Sequence, residues 1–179
     1  MGALTGGLAG FDCASVCAGG IKRIWLTNED DIDSITFGVN GEVTAITMVA
    51  TKVFFEVKLK VNTKQLVEQA DVTEDGCGVT FTQTFTGIAA CYDQDTRTFL
   101  LELAKQSCCG LVAIHEENSG FVALWGHIED LPIRLGGGTN TDTGANLTDP
   151  NQVTIELVCT TTAEGLKTEF VPGVAGIPV

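Results

Sequence analysis

The sequence predicts a mainly β protein, an antiparallel β-sandwich or barrel with one flanking α-helix, long loops and extended terminal arms. Threonine and valine, which favour half-buried strands, recur throughout, whereas only 4 of the 179 residues are proline. Several segments alternate between apolar and polar residues with a period of two, as strands with one buried face do. Turn residues rather than long helices separate most of these segments, which argues against a doubly wound parallel sheet.

The first strands are predicted from turn residues. Residues 20–27 form one strand, and a charged loop over residues 28–33 follows it. The dipeptide Asn40-Gly41 is the best hairpin signal in the chain, because both residues tolerate the positive φ angles of a tight turn. We therefore expect a hairpin that joins residues 34–39 to residues 42–48.

The most regular alternation covers residues 52–61, which we expect to form a half-buried strand. Its apolar face consists of Val53, Phe55, Val57, Leu59 and Val61. Residues 63–73 leave two interpretations open, a short helical face or a continuation of the strand into a long hairpin. Residues 79–89 alternate again, with four threonines on one side of the strand.

One helix is predicted at about residues 95–108. Asp93 or Asp95 can cap its N-terminus, because an aspartate side chain accepts hydrogen bonds from the first N–H groups. Apolar residues then recur at helical spacing, and Gly110 ends the helix.

The second half of the chain is predicted to form a hairpin, a loop and a strand. Residues 111–117 and 121–127 flank an Asn-Ser-Gly turn, and a long polar loop covers about residues 129–151. Residues 152–161 form a final strand.

We expect a single domain that spans residues 1–179, since this length fits one domain and the sequence has no internal repeat. Residues 1–19 form an N-terminal arm, residues 20–169 the sandwich core, and residues 170–179 an apolar C-terminal arm.

The charge balance restricts the partners. The chain has 10 basic and 23 acidic residues and a formal net charge of −13, which argues against binding to nucleic-acid phosphates or to anionic membranes. No apolar run reaches the ~20 residues that a membrane span requires, and the glycine-rich start lacks the features of a secretory signal. We therefore expect a protein that is made in the cytoplasm.

The seven cysteines and two histidines do not form a recognisable catalytic or metal motif. Several cysteines lie in apolar runs, so we expect buried, reduced thiols, with a disulfide framework as the alternative. His115 and His127 are expected at exposed or sheet-edge positions rather than on zinc. We expect no catalytic residues, no metal and no cofactor, and hence no enzyme.

Two features of the long loop have only a partial likeness to ligand sites. Residues 136–139 have the glycine content of a phosphate-binding loop without its lysine, which favours a flexible loop. Oxygen-bearing side chains follow, but they lack the spacing of a calcium loop. These side chains are Asn140, Asp142, Asn146 and Asp149.

Two sets of charged residues are candidates for an assembly surface. Acidic residues cluster in and after the ambiguous segment, either as a solvated loop or as a deliberate negative surface. They are Glu68, Asp71, Glu74 and Asp75. Lys58 and Lys60 form a basic stripe that is too small for nucleic-acid binding and better suited to ion pairs between subunits.

The order of these elements resembles that of the tail tube (major tail) proteins of tailed bacteriophages. The likeness covers about residues 10–170. In the first half of the chain, the shared features are a glycine-rich arm before Trp25-Leu26-Thr27, long strands around residues 63–78, and a single helix. In the second half, they are a Gly-, Thr- and Asn-rich loop after Gly126-His127-Ile128 and a last strand that follows Asp149-Pro150-Asn151.

The resemblance implies a structural virion protein located in the phage tail. Tail tube subunits form six-membered rings that stack into a tube, and each subunit contributes one sheet to a continuous inner barrel. The expected partners are copies of the chain itself and other tail proteins. DNA passes through an acidic lumen without specific binding, and the four acidic residues would lie in the lumen or in loops between rings.

Two alternative functions remain open at this stage. One is another virion protein, such as a head–tail joining or capsid decoration protein. The other is a carbohydrate-binding or adhesin module, which would need exposed aromatic residues, although Trp25, Tyr92 and Trp125 are the only Trp and Tyr residues in the chain.

Overall fold

The computed structural model describes residues 19–72, 78–89, 91–128, 131–146, 149–162 and 168–169. One helix, α1 (Gln94–Gln106), interrupts the series of strands. The strands are β1 (Ile21–Asn28), β2 (Ile32–Phe37), β3 (Val43–Met48), β4 (Phe55–Glu56), β5 (Gln65–Val72), β6 (Val79–Ala89), β7 (Leu111–Glu117), β8 (Val122–Trp125), β9 (Arg134–Leu135), β10 (Asn140–Asp142), β11 (Gln152–Thr161) and β12 (Thr168–Glu169).

The strands form two main sheets and one hairpin, and the pairings are antiparallel. Sheet one has the order β12-β8-β7-β1-β4, and sheet two has the order β10-β11-β6-β5, with β9 also paired to β11. The strands β2 and β3 form a separate hairpin. The predicted class, a mainly β antiparallel fold with one helix, is confirmed, and its sheets stay open rather than closing into a barrel.

The two sheets pack face to face around the larger core. Trp125 and Ala113 of sheet one lie in this core with Phe85, Ile155 and Leu157 of sheet two, and all five are almost completely buried. Burial of this apolar surface is the main force that holds the sheets together.

The β2–β3 hairpin covers the other face of sheet one. Its Val43 and Ile46 pack against Trp25, Ile114 and Leu124 in a second core. Sheet one is therefore a central layer, which explains why β7 begins with five consecutive buried residues instead of alternating.

The helix begins and ends as its sequence predicts. The Asp93 side chain accepts a hydrogen bond from the Thr96 N–H at 2.8 Å and caps the first turn. Leu103 is buried against the larger core. Gly110 follows the helix with a φ of +98°, where an added Cβ would lie 2.7 Å from Pro132, so only glycine fits there.

Residues 52–61 do not form the long strand that their alternation predicts. Only Phe55 and Glu56 pair with β1, and the N–H of Lys60 donates to the carbonyl of Ile88 on β6. The segment thus passes from the edge of sheet one to the edge of sheet two, and it cannot form a long ladder with either sheet. The expected apolar face is correct only in part: Val57 and Leu59 pack against the larger core, but Phe55 is 67% exposed and Phe54 is buried in its place.

Most of the other strand and turn predictions agree with the structure. The Asn40-Gly41 hairpin, the strands over residues 79–89 and 152–161, and the second hairpin are confirmed. The ambiguous segment is a strand, since β5 pairs with β6 along its whole length. The predicted terminal arms lie outside the described residues, apart from Gly19, since residues 1–18 and 170–179 are not among them.

Two predicted loops contain regular structure. The charged loop is a short 3-10 turn, Glu29–Asp31, and β2 begins directly after it. The described part of the long polar loop contains β9, β10 and the completely buried Ile133. These short strands form because they pair with the edge of β11. The local sequence of the loop gives no sign of this partner.

Candidate assembly interface

The β5–β6 hairpin forms one margin of sheet two. Its two strands pair from Gln65 opposite Thr86 to Val72 opposite Val79. Among the described residues, no strand pairs with the other side of β5. An edge of eight residues presents N–H and C=O groups that another strand can pair with.

The exposed side chains at this margin include apolar ones. Val67, Val72 and Val79 are 46%, 60% and 41% exposed. The last four residues of β5 are all exposed, so this end of the hairpin extends beyond the cover of sheet one. A long, partly apolar edge strand is an assembly or aggregation site unless a partner covers it.

The structure places the predicted acidic residues on opposite faces of the hairpin. Glu68 shares a face with the buried Gln83, whose Nε2 donates to Glu68 Oε1 at 2.7 Å. Asp71 is exposed on the other face and accepts a hydrogen bond from the Thr82 hydroxyl at 3.1 Å. Glu74 and Asp75 lie outside the described residues. Glu68 and Asp71 therefore do not form one acidic surface.

Lys58 and Lys60 lie on the segment that connects β4 to β5. Both are exposed, and neither forms an ion pair within the described part of the chain. This position leaves both ammonium groups accessible to a carboxylate of another molecule.

The opposite margin of sheet two consists of the short strands β9 and β10. The exposed Arg134 of β9 lies opposite Val158 of β11. Sequence reasoning did not identify this margin, because nothing local in the polar loop indicates pairing with β11.

The glycine-rich turn between β9 and β10 binds a carboxylate of its own chain. The N–H of Gly138 donates to Glu156 Oε1 at 2.8 Å, and the N–H of Gly136 donates to the Glu156 carbonyl at 2.7 Å. An added Cβ at either glycine would lie 2.4 Å from the Glu156 carboxylate. The segment is therefore a hydrogen-bonded turn against Glu156 rather than a phosphate-binding loop, and its glycines leave room for the Glu156 carboxylate beside the backbone.

The oxygen-bearing side chains after β10 form turns. Asp149 Oδ2 accepts from the backbone N–H groups of Ala145 and Asn146 at 2.9 and 2.8 Å, and these bonds lower its pKa. Asp142 accepts from the Gly144 N–H at 2.8 Å. The described residues contain no group of three or more His, Cys, Asp or Glu side chains arranged to hold a metal.

His115 is buried, contrary to the expectation of an exposed or sheet-edge position, whereas His127 is partly buried. His115 is completely buried on β7, which lies between β1 and β8. His127 packs its ring against Phe37 with the centroids 5.5 Å apart, and burial lowers its pKa. The uninterrupted apolar run before His115 was the available signal for a strand buried on both faces.

The described cysteines are all free thiols, and only one is buried. Cys91, Cys108 and Cys109 are exposed, whereas Cys159 is buried. Its thiol donates to the carbonyl of Leu131 at 3.1 Å, and burial raises its pKa to about 11. Cys159 therefore stays protonated near neutral pH and is not an activated nucleophile.

Several other cations are engaged in ion pairs on sheet one and its flank. Glu116 accepts from Lys22 and Arg23 at 2.7 and 2.8 Å. Burial by itself would raise the pKa of Glu116. The two cations have the larger combined effect and hold the pKa below its usual value. Lys52 likewise binds Asp31 at 2.8 Å.

A groove of about 590 Å³ lies between α1 and the β4 edge of sheet one. Phe55, Val57, Phe99 and Leu103 supply its apolar lining. Of its carboxylates, Asp31 has a lowered pKa, mainly because Lys52 donates to it, and therefore stays ionised at neutral pH.

Comparisons of this chain with family models, with curated proteins and with solved structures find no match. Within the described residues, no helix has the length and apolar character that crossing a membrane requires.

Proposed function

We propose that this chain is a structural virion protein that assembles into six-membered rings, and that these rings stack into a phage tail tube for DNA ejection. Its partners are further copies of itself and other tail proteins, and DNA passes through the tube without specific binding. One observation carries the proposal: β5 leaves a whole edge of sheet two without a strand partner among the described residues.

Charge favours head-to-tail pairing of sheet two over a symmetric dimer. Pairing two β5 edges about a two-fold axis would gather Glu68 and Asp71 of both copies along one seam, where like charges repel. The β9–β10 margin instead carries one exposed cation, Arg134, together with one exposed carboxylate, Asp142, so a β5 edge meets fewer like charges there. A contact between β5 of one copy and this margin of the next is heterologous, and such contacts generate closed rings or filaments.

The dimensions of a closed six-membered ring are consistent with a tube that nucleic acid can pass through. Sheet two contributes four strands in sequence across its width, so six copies give a barrel of about 24 strands. Strands about 4.8 Å apart and tilted by about 40° then enclose a diameter of about 50 Å between backbones. A bore of this size admits a nucleic-acid duplex, and closure removes the unpaired edges.

The experiment compares two valine-to-lysine variants of the purified chain by electron microscopy and analytical ultracentrifugation. Val67→Lys places a charge on the β5 edge, where lysine opposes strand pairing. Val39→Lys is the matched control, since Val39 is completely exposed in the turn of the β2–β3 hairpin. We expect the wild-type and Val39→Lys proteins to form rings and tubes, and Val67→Lys to raise the concentration needed for assembly at least about tenfold.

Two results would contradict the proposal. A wild-type protein that stays monomeric at every ionic strength would exclude a tube subunit. Equal assembly of Val67→Lys and Val39→Lys would show that β5 is not the contact.

A further inference from the structure

We propose that one particular surface of sheet two, its threonine face, lines the bore and faces the passing nucleic acid. This inference rests on the proposed function and identifies the surface that acts in it. The threonine face is the side of sheet two that points away from sheet one, and its central column is Thr80, Thr82, Thr84 and Thr86 of β6.

Strand register defines this face across the whole sheet. The alternate residues of β6, including Gln83 and Phe85, are buried towards sheet one, so the threonines point the other way. Thr84 lies between Val67 of β5 and Val158 of β11, and residues directly opposite each other share a face.

Layer thickness decides which side of a closed ring this face occupies. Sheet one and the β2–β3 hairpin lie on the other side of sheet two as two successive layers. Each added layer is about 10 Å thick, so placing both inside a barrel of about 50 Å would use about 40 Å of its diameter. The bore would then be closed, and the two layers must lie outside, which leaves the threonine face inside.

The chemistry of the face suits a surface along which a polyanion moves. Its central column consists of short hydroxyl side chains, which are uncharged and exchange hydrogen bonds with water. The charged side chains that strand register places on this face within the described strands are Asp71, Arg134, Asp142 and Glu156. On the described strands of this face, carboxylates thus outnumber the single guanidinium, and no row of cations is present to hold phosphates.

This assignment differs from the expectation for the acidic residues. Asp71 lies on the bore face, whereas Glu68 points towards the space between the sheets and bonds to Gln83. A central column of hydroxyl groups with scattered carboxylates therefore lines the bore, rather than an acidic cluster.

The test uses the accessibility of single cysteines in assembled tubes. Thr84→Cys and its matched control Thr47→Cys are made in a background where every cysteine except the buried Cys159 is serine. Thr47 is an exposed strand threonine on the hairpin layer, which this arrangement places outside the tube. Tubes are treated with a small biotin maleimide and then with streptavidin, which is too bulky to diffuse along the bore.

We expect Thr47→Cys to capture streptavidin equally in tubes and after dissociation. Thr84→Cys should capture it after dissociation but lose at least about tenfold of that capture in tubes. Equal capture by intact Thr84→Cys tubes would overturn the inference while leaving the proposed function in place.

A failure of the proposed function has a different outcome, because the wild-type protein would then form no tubes at all, and the inference would fall with it. If Thr84→Cys prevents assembly, the position of residue 84 in an image reconstruction of wild-type tubes decides the question. Density for residue 84 at the bore wall supports the inference, and density on the outer surface overturns it.

Discussion

Sheet one and sheet two contain similar antiparallel ladders but lie in different surroundings. Sheet one is covered on both faces, by sheet two on one side and by the β2–β3 hairpin on the other. Within the described part of the chain, sheet two is covered by another layer on one face only, and β5 has no strand partner on its outer side. The difference indicates that sheet one supports the fold, whereas the exposed face and edge of sheet two are suited to contacts outside the molecule.

The largest expected difference between the sheets is in stability. Ile114→Ala removes a completely buried side chain between sheet one and the hairpin, and should cost about 2–5 kcal/mol of unfolding free energy. Val67→Ala on the exposed edge of sheet two should change it by no more than about 1 kcal/mol. Chemical denaturation of the dissociated protein measures both, and equal losses would contradict the assigned roles of the two sheets.

The parts of this fold that the sequence predicts correctly depend on near neighbours. The Asn40-Gly41 turn and the Asp93 cap act through residues only a few positions away. The alternation in β6 and β11 is also reliable, because each strand is long and has one buried face.

The failed predictions depend on distant partners. Residues 52–61 alternate between apolar and polar side chains. Such alternation indicates which side of a segment faces solvent, but it does not indicate which strand the segment pairs with. The strands β9 and β10 form only because β11 is present; its paired residues come 22 to 24 positions after those of β9 and 10 to 14 positions after those of β10. In the candidate interface, the sequence groups Glu68 and Asp71 in one acidic cluster, but their opposite faces follow only once β5 is known to be a strand.

A smaller difference in stability is expected between two adjacent residues whose side chains lie on opposite faces of sheet two. Gln83→Ala removes a buried amide that donates to a carboxylate, so we expect a loss of about 1.5–3 kcal/mol. Thr82→Ala removes a hydroxyl bonded to the exposed Asp71 and should cost no more than about 0.5 kcal/mol. Denaturation of both variants checks this pair, and a larger loss for Thr82→Ala would reverse the assignment of the faces.

Hydrogen exchange tests most directly the claim that chains join through the edge of sheet two. Exchange of residues 65–72 is compared between the free protein and assembled rings, with residues 111–117 of β7 as a control because strands already pair with both sides of β7. We expect the outward-facing N–H groups of β5 to exchange rapidly in the free protein and slowly in rings, with β7 unchanged. Rings in which β5 exchanges as fast as in the free protein would contradict the account.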